Sequence, residues 1–154
     1  LAIDLRTTVR LLPYRSGRVK ITSRGFESAD YPSDRTPFNH PLGLMFATAA
    51  YFEADGVHVV IESQSPPRSA LGGSSAAAVA LTAAFLVAAE NMALTPGVRR
   101  RIALLAHRIE ESVAGVPCGR QDQLAAAFGG VNAWHWRPQW RGFSFIINLL
   151  QRTG

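Results

Sequence analysis

Apolar positions along this chain first alternate, then cluster, then recur at helical spacing, and each rhythm predicts a different element. AIDLRTTVRLLPY, residues 2–14, is rich in Leu, Ile, Val and Thr and reads as a strand. After a turn at Arg15-Ser16-Gly17, GRVKITS alternates Val19 and Ile21 with Lys20 and Thr22 and is expected to be its hairpin partner. Residues 24–38 are polar and interrupted by Pro32 and Pro37, so they read as loop. Asn39 is placed to cap a helix expected from about Pro41 to Glu53. GVHVVIES then sets Val57, Val59 and Ile61 on one face of a strong strand.

From Ser75 to about Asn91 nearly every residue is a helix former. The alanine-rich stretch Ala76 to Ala89 is too short to span a bilayer. Thr95 and Pro96 restart a helix that runs to about Val113. Ile102, Leu105 and Ile109 form its inner stripe, while Arg99, Arg100, Arg101, Arg108 and Glu111 can stay in water. His107, beside Arg108, is expected on the helix surface. A loop through Gly115, Pro117 and Gly119 leads to a short helix, QDQLAAAF, closed by Gly129-Gly130. VNAWHWRP and GFSFIINLL finish the chain as two strands around a turn near Pro138 to Gly142. The order β-β-α-β-α-α-α-β-β predicts one α+β domain over residues 1–154, with a mostly antiparallel sheet and packed helices.

Composition narrows this picture. The 154 residues are 47% hydrophobic and 18% charged, enough for one core and unlike a disordered chain. Sixteen basic and eleven acidic residues give a net charge of +5, and Lys20 is the only basic residue that is not Arg. Such a balance suits an anionic partner (a nucleotide, a sugar phosphate or a nucleic acid) or reflects genome composition. One cysteine, Cys118, excludes an internal disulfide framework and a Cys-based zinc site and fits a reducing, cytoplasmic setting. Asp4 lies inside the first apolar run, so no secretory signal is read, and no membrane partner is expected. The chain opens without Met, and the natural protein is expected to begin earlier.

Candidate chemistry concentrates in PPRSALGGSSAAAVA, residues 66–80. Flexible residues stand directly before a long helix. Gly72 and Gly73 allow positive φ and a close backbone approach, and a helix N-terminus offers unpaired N–H groups to an anion. Ser74 and Ser75 can cap the helix or offer hydroxyls to a phosphate or a metal ion, and Arg68 adds positive charge. The stretch is either a plain cap into a buried helix or a phosphate cradle. It contains neither Gly-Lys-Ser/Thr nor Gly-x-Gly-x-x-Gly.

The stretch resembles the second motif of the GHMP kinases, approximately Pro-x-x-x-Gly-Leu-Gly-Ser-Ser-Ala-Ala between a strand and a long helix. A Pro, Leu71, Gly72, Ser74, Ser75, Ala76 and Ala77 match; Ala70 stands where Gly is usual and Gly73 where Ser is usual. The resemblance implies that Pro67, Arg68, Ser69, Ala70, Leu71, Gly72, Gly73, Ser74 and Ser75 wrap the phosphates of ATP.

A second stretch, HRIEESVAGVPCGRQDQLAAAFGGVNAW, is similar to the family's segment in which a helix Glu binds magnesium and an Asp at the next helix start is the catalytic base. Gly-Arg-Gln-Asp-Gln is most similar to the heptose 7-phosphate kinase branch, with Arg120 in place of the usual Lys. By this resemblance Asp122 accepts or orients the acceptor proton and Arg120 assists. Ser74 and Glu110, or Glu111 in its place, supply oxygen ligands to Mg2+. The plainer readings are a favourable first-turn charge at Asp122, solvated glutamates, and surface amides at Gln121 and Gln123. His40 and His135 read as structural. Trp134, Trp136 and Trp140 suit either a stacked base or sugar or a hydrophobic strand pair.

The resemblance covers roughly residues 55–135. The family's first motif and its glycine-rich third motif are not found, so the sequence reads as most of an N-terminal domain without its closing half. The implied fold is two-layered with a left-handed βαβ crossover. The implied activity is transfer of the ATP γ-phosphate to a sugar or sugar-phosphate hydroxyl, with self-association expected of a chain lacking its closing domain. The alternative is a non-catalytic domain that binds RNA or another polyanion; nucleic acid is the less expected partner, since such binding needs neither Asp122 nor Glu110.

Overall fold

The computed structural model describes residues 2–67, 69, 71–137 and 144–148, with the backbone alone described from residue 134 onward. Strand β4 (Val57–Ser63) organises the main sheet. It lies between β1 (Thr7–Pro13), antiparallel to it, and β2 (Arg18–Ser23), parallel to it; β3 (Ala29–Pro32) adds antiparallel to β2 at the edge. The hairpin expected of β1 and β2 therefore does not form, because β4 is inserted between them. The cause is visible at the turn. The Asp55 carboxylate accepts from the Gly17 N–H at 3.1 Å and from the Ser16 hydroxyl at 3.4 Å, and the Tyr14 N–H donates to the Gly56 carbonyl at 2.7 Å. These bonds seat the start of β4 in the mouth of the turn. The most apolar strand thereby takes the central position, where both its edges are paired.

Strand β3 falls within the stretch expected to be loop. Asp30 and Pro32 weaken its strand signal, but an edge position tolerates both. The register divides the sheet into two faces. Val9 lies opposite Ile61, Leu11 opposite Val59, and Ile21 beside Val59, all in or against the core. On the other face Lys20 lies between His58 and Asp30. Asp30 accepts from Tyr14 Oη and Arg18 Nε, each at 2.8 Å, and the Thr22 hydroxyl meets His58 Nε2 at 2.9 Å.

Four helices, α1 (Gly43–Tyr51), α2 (Gly73–Glu90), α3 (Pro96–Ala114) and α4 (Gln121–Phe128), complete the main layer. The parallel β2/β4 pair is joined through β3 and α1. Helix α2 touches β1, β4 and all three other helices, and Phe46, Ile21, Leu81, Leu86, Ile102 and Leu124 are the largest apolar residues sealed at the centre. At 18 residues α2 exceeds the predicted alanine stretch and is long and apolar enough to cross a membrane by length and composition; here Ala78, Leu81 and Leu86 lie on the face it packs into the core. Thr95 caps α3 as expected, its hydroxyl accepting from the Val98 N–H at 3.3 Å.

Two local expectations are corrected. Helix α1 is not capped by Asn39: its N-cap is Leu42, and the preceding turn closes on His40, whose Nδ1 accepts from the Leu42 N–H at 3.0 Å. Gly43 is required there, because a Cβ would run into the Phe38 carbonyl. His107 is not on the surface but 2% exposed, and its Nε2–H donates to the Cys118 carbonyl at 2.9 Å, pinning the loop ahead of α4. At the chain's end β5 (Ala133–Arg137) and β6 (Ser144–Asn148) pair antiparallel, as the sequence predicts. Trp140 and the turn before β6 lie outside the described residues, as do the side chains of Trp134, His135 and Trp136.

Candidate functional site

Helix α2 starts without a side-chain cap. Its N-cap is Gly72, in the left-handed region at φ 69°, and neither Ser74 nor Ser75 caps the first turn. The leading N–H groups of an 18-residue helix are thus left without side-chain partners at a loop free to meet a ligand. Pro67, Ser69, Gly72, Gly73 and Ser74 form one wall of a cleft of about 480 Å³. The facing walls are Arg24 and Phe26 after β2, and Leu42, Leu44 and Met45 at the start of α1. The cleft therefore joins an apolar floor to a polar, glycine-rich lip. Leu71 is exposed beside it. Arg68 and Ala70 lie outside the described residues.

Gly25 belongs to this site and was not picked out from the sequence. It has φ +84°, and a Cβ on it would strike the Pro67 ring, so its bareness lets the β2–β3 turn close against the loop. A larger hollow of about 590 Å³ lies between the N-terminal segment and α2, α3 and α4. Alanines dominate its helical side, and it lacks Gly72 and Gly73, which line the smaller cleft; Asp122 and Glu110 line neither hollow.

Asp122 stands exposed in the first turn of α4, and its carboxylate lies alongside Gly72: an ideal Cβ on that glycine would be 3.4 Å from Asp122 Oδ2. The N-terminal ends of α2 and α4 thus converge on one carboxylate. Arg120 is the N-cap of α4, half-buried, two residues before Asp122.

Glu110, on α3, reaches α2. The Ser75 hydroxyl donates to Glu110 Oε2 at 3.1 Å. Gln123 Nε2 donates to the same oxygen and lies 3.4 Å from Ser75 Oγ. Three side chains thereby tie α2, α3 and α4 together. Glu110 makes this link, rather than Glu111. Its partner is the buried Ser75, whereas Ser74 is exposed on the cleft. Gln123 is no surface amide: it is 1% exposed, and its Oε1 has no donor among the described residues. The signal that could have placed it is periodicity, since Gln123 precedes the buried Ala127 by four residues. Among the described residues no three His, Cys, Asp or Glu side chains cluster as a metal site.

Residues 39–130, from the approach to α1 through the end of α4, match the N-terminal domain of the GHMP kinases. The chain belongs to the GHMP kinases. It is 31% identical over 145 residues to a mevalonate kinase of Thermococcus sibiricus, covering 84% of this chain and 42% of that one. Over a shorter span of 70 residues it is 46% identical to the D-glycero-alpha-D-manno-heptose 7-phosphate kinase of Campylobacter jejuni, covering 46% of this chain and 20% of that one. Among solved structures, a Campylobacter jejuni protein described as a sugar kinase superposes with a TM-score of 0.73 at 24% identity, over 97% of this chain and 48% of that one. Lactococcus lactis galactokinase, complexed with galactose, gives 0.65 at 20% identity, over 97% and 41%. These likenesses bear out the α+β fold. The GHMP kinase chain described here spans less than half the length of each of these relatives.

Proposed function

We propose that this GHMP kinase domain binds ATP with Mg2+ at the α2 N-terminus. In this reading it serves an enzyme that phosphorylates a hydroxyl of a sugar or sugar phosphate, a heptose 7-phosphate being the favoured acceptor. The observation that carries this reading is the Asp122 carboxylate beside Gly72, at the uncapped start of α2. The anion-attracting helix end holds phosphate, and the carboxylate beside it takes the proton of an attacking hydroxyl. In the transfer the acceptor oxygen bonds to the γ-phosphorus, the bond from that phosphorus to ADP breaks, and the acceptor proton passes to Asp122. Arg120 would contribute positive charge to the phosphates. The apolar walls at Phe26, Leu42 and Met45 suit the flat face of a base.

The donor set fits Mg2+, which takes few protein oxygens and completes its shell with phosphates and water. Glu110 with the hydroxyls of Ser74 or Ser75 would hold it, and its charge would offset that of the phosphates. The preference for a heptose phosphate rests on the heptose kinase relative and on the Gly-Arg-Gln-Asp-Gln wording. The lone thiol of Cys118 and the use of ATP favour the cytoplasm. Calorimetry of ATP binding to the full protein, with and without Mg2+, tests the reading. Magnesium-dependent binding that weakens several-fold in Ser74→Ala is expected; no magnesium-dependent binding of ATP would sink it.

A further inference from the structure

We infer that Gln123 is a positioning residue whose buried amide aims Glu110, and with it Ser75, at a divalent cation brought by the nucleotide. This rests on the ATP and magnesium reading above. Gln123 follows Asp122 directly, and neighbouring positions on a helix point about 100° apart. One turn of α4 therefore presents a carboxylate to the loop and an amide to the interior.

The partners of Glu110 are what make the arrangement informative. Its half-buried carboxylate receives a hydroxyl from Ser75 and an amide N–H from Gln123, both neutral. A carboxylate drawn from water is ordinarily matched by a cation or a metal. Here Ser75 and Gln123 supply orientation and no countercharge. The same bond fixes the amide, because only its N–H end can face a carboxylate. Oε1 is thereby left as a buried acceptor without a donor among the described residues, 1% of Gln123 being exposed. An arriving divalent cation would offer Glu110 the charge that these two neutral donors lack. A Lys or Arg in place of Gln123 would neutralise Glu110 and compete with the cation for it.

The test uses Mn2+ as a spectroscopic probe on the full protein with saturating ATP, comparing the natural chain with Gln123→Met, which keeps the volume and removes the donor. The expected result is Mn2+ affinity about tenfold weaker, with ATP affinity in chelator unchanged within about twofold. An amide that merely ties three helices would lower the thermal midpoint and weaken metal-bound and metal-free nucleotide equally, or neither; that result overturns the inference. Gln123→Asn keeps a buried amide but draws it back by one methylene, so it covers the case in which the Met variant fails to fold. The same selective loss is expected there, and unchanged Mn2+ affinity overturns the inference. If the natural protein takes up no Mn2+ with ATP, the nucleotide reading falls first and this inference with it.

Discussion

Gly72 and Asp122 make sense only as a pair. The glycine supplies a left-handed turn into α2 and leaves room beside the carboxylate. In Gly72→Ala the added methyl would sit at ordinary contact distance from Asp122, so the cost is conformational rather than a clash. Unfolding free energy should fall by about 1–2 kcal/mol, the penalty of a left-handed L-residue, seen as a lower urea midpoint together with weaker ATP binding. Asp122 answers a different question. Asn in its place keeps the shape and removes the proton acceptor. Phosphoryl transfer by the full protein should drop about 10²–10⁴-fold while ATP affinity stays within a few-fold. Turnover equal to that of the natural chain would return Asp122 to the plainer role of a helix-start charge.

At the level of elements, the outer face of the sheet carries its own prediction. Partial burial, and then the charge of Lys20 beside it, hold the His58 imidazole below its ordinary value near 6.5, against an opposing pull from Asp30. Above that pH the histidine is neutral in folded and unfolded chains alike. As pH falls, the unfolded chain takes up the proton first, so stability is full above about 6.5 and declines as pH drops through the lowered folded value. Melting curves from pH 7.5 to 5 should show this decline, and His58→Gln should flatten it; an unchanged slope would mean that His58 does not titrate against Lys20. These elements were legible to very different degrees. Thr95-Pro96 and the stripe Ile102, Leu105, Ile109 announced α3, and GVHVVIES announced β4. Alternation tells which face a strand buries but not which strand lies beside it, so the insertion of β4 between β1 and β2 was not readable. The decisive bonds there join Asp55 to Gly17 across 38 positions of sequence. Likewise the loop and Asp122 could be picked out by wording, whereas the pairing of Glu110 with Ser75 and Gln123 depends on how three helices pack.

On the scale of the whole molecule, α2 is both the central beam of the core and, at its first turn, one side of the cleft. Leu81 lies seven residues beyond Ser74, about 10 Å along the axis at 1.5 Å per residue, and is fully buried. Leu81→Ala should therefore separate the two roles. The lost side chain and the cavity it leaves should destabilise the fold by about 2–5 kcal/mol, read as a lower denaturant midpoint with unchanged slope. ATP affinity, measured well below the melting temperature, should stay within about twofold, because the glycine lip is set by Gly72, Gly25 and Pro67 rather than by packing at the helix centre. Saturating ATP should then raise the melting temperature of both chains, since a ligand bound only by the folded state stabilises it by mass action. If Leu81→Ala also weakens ATP binding tenfold at low temperature, α2 does not act as a rigid support. The N-terminal turn would then be held by the core, and its readiness for phosphate would be a property of the whole helix layer rather than of the loop.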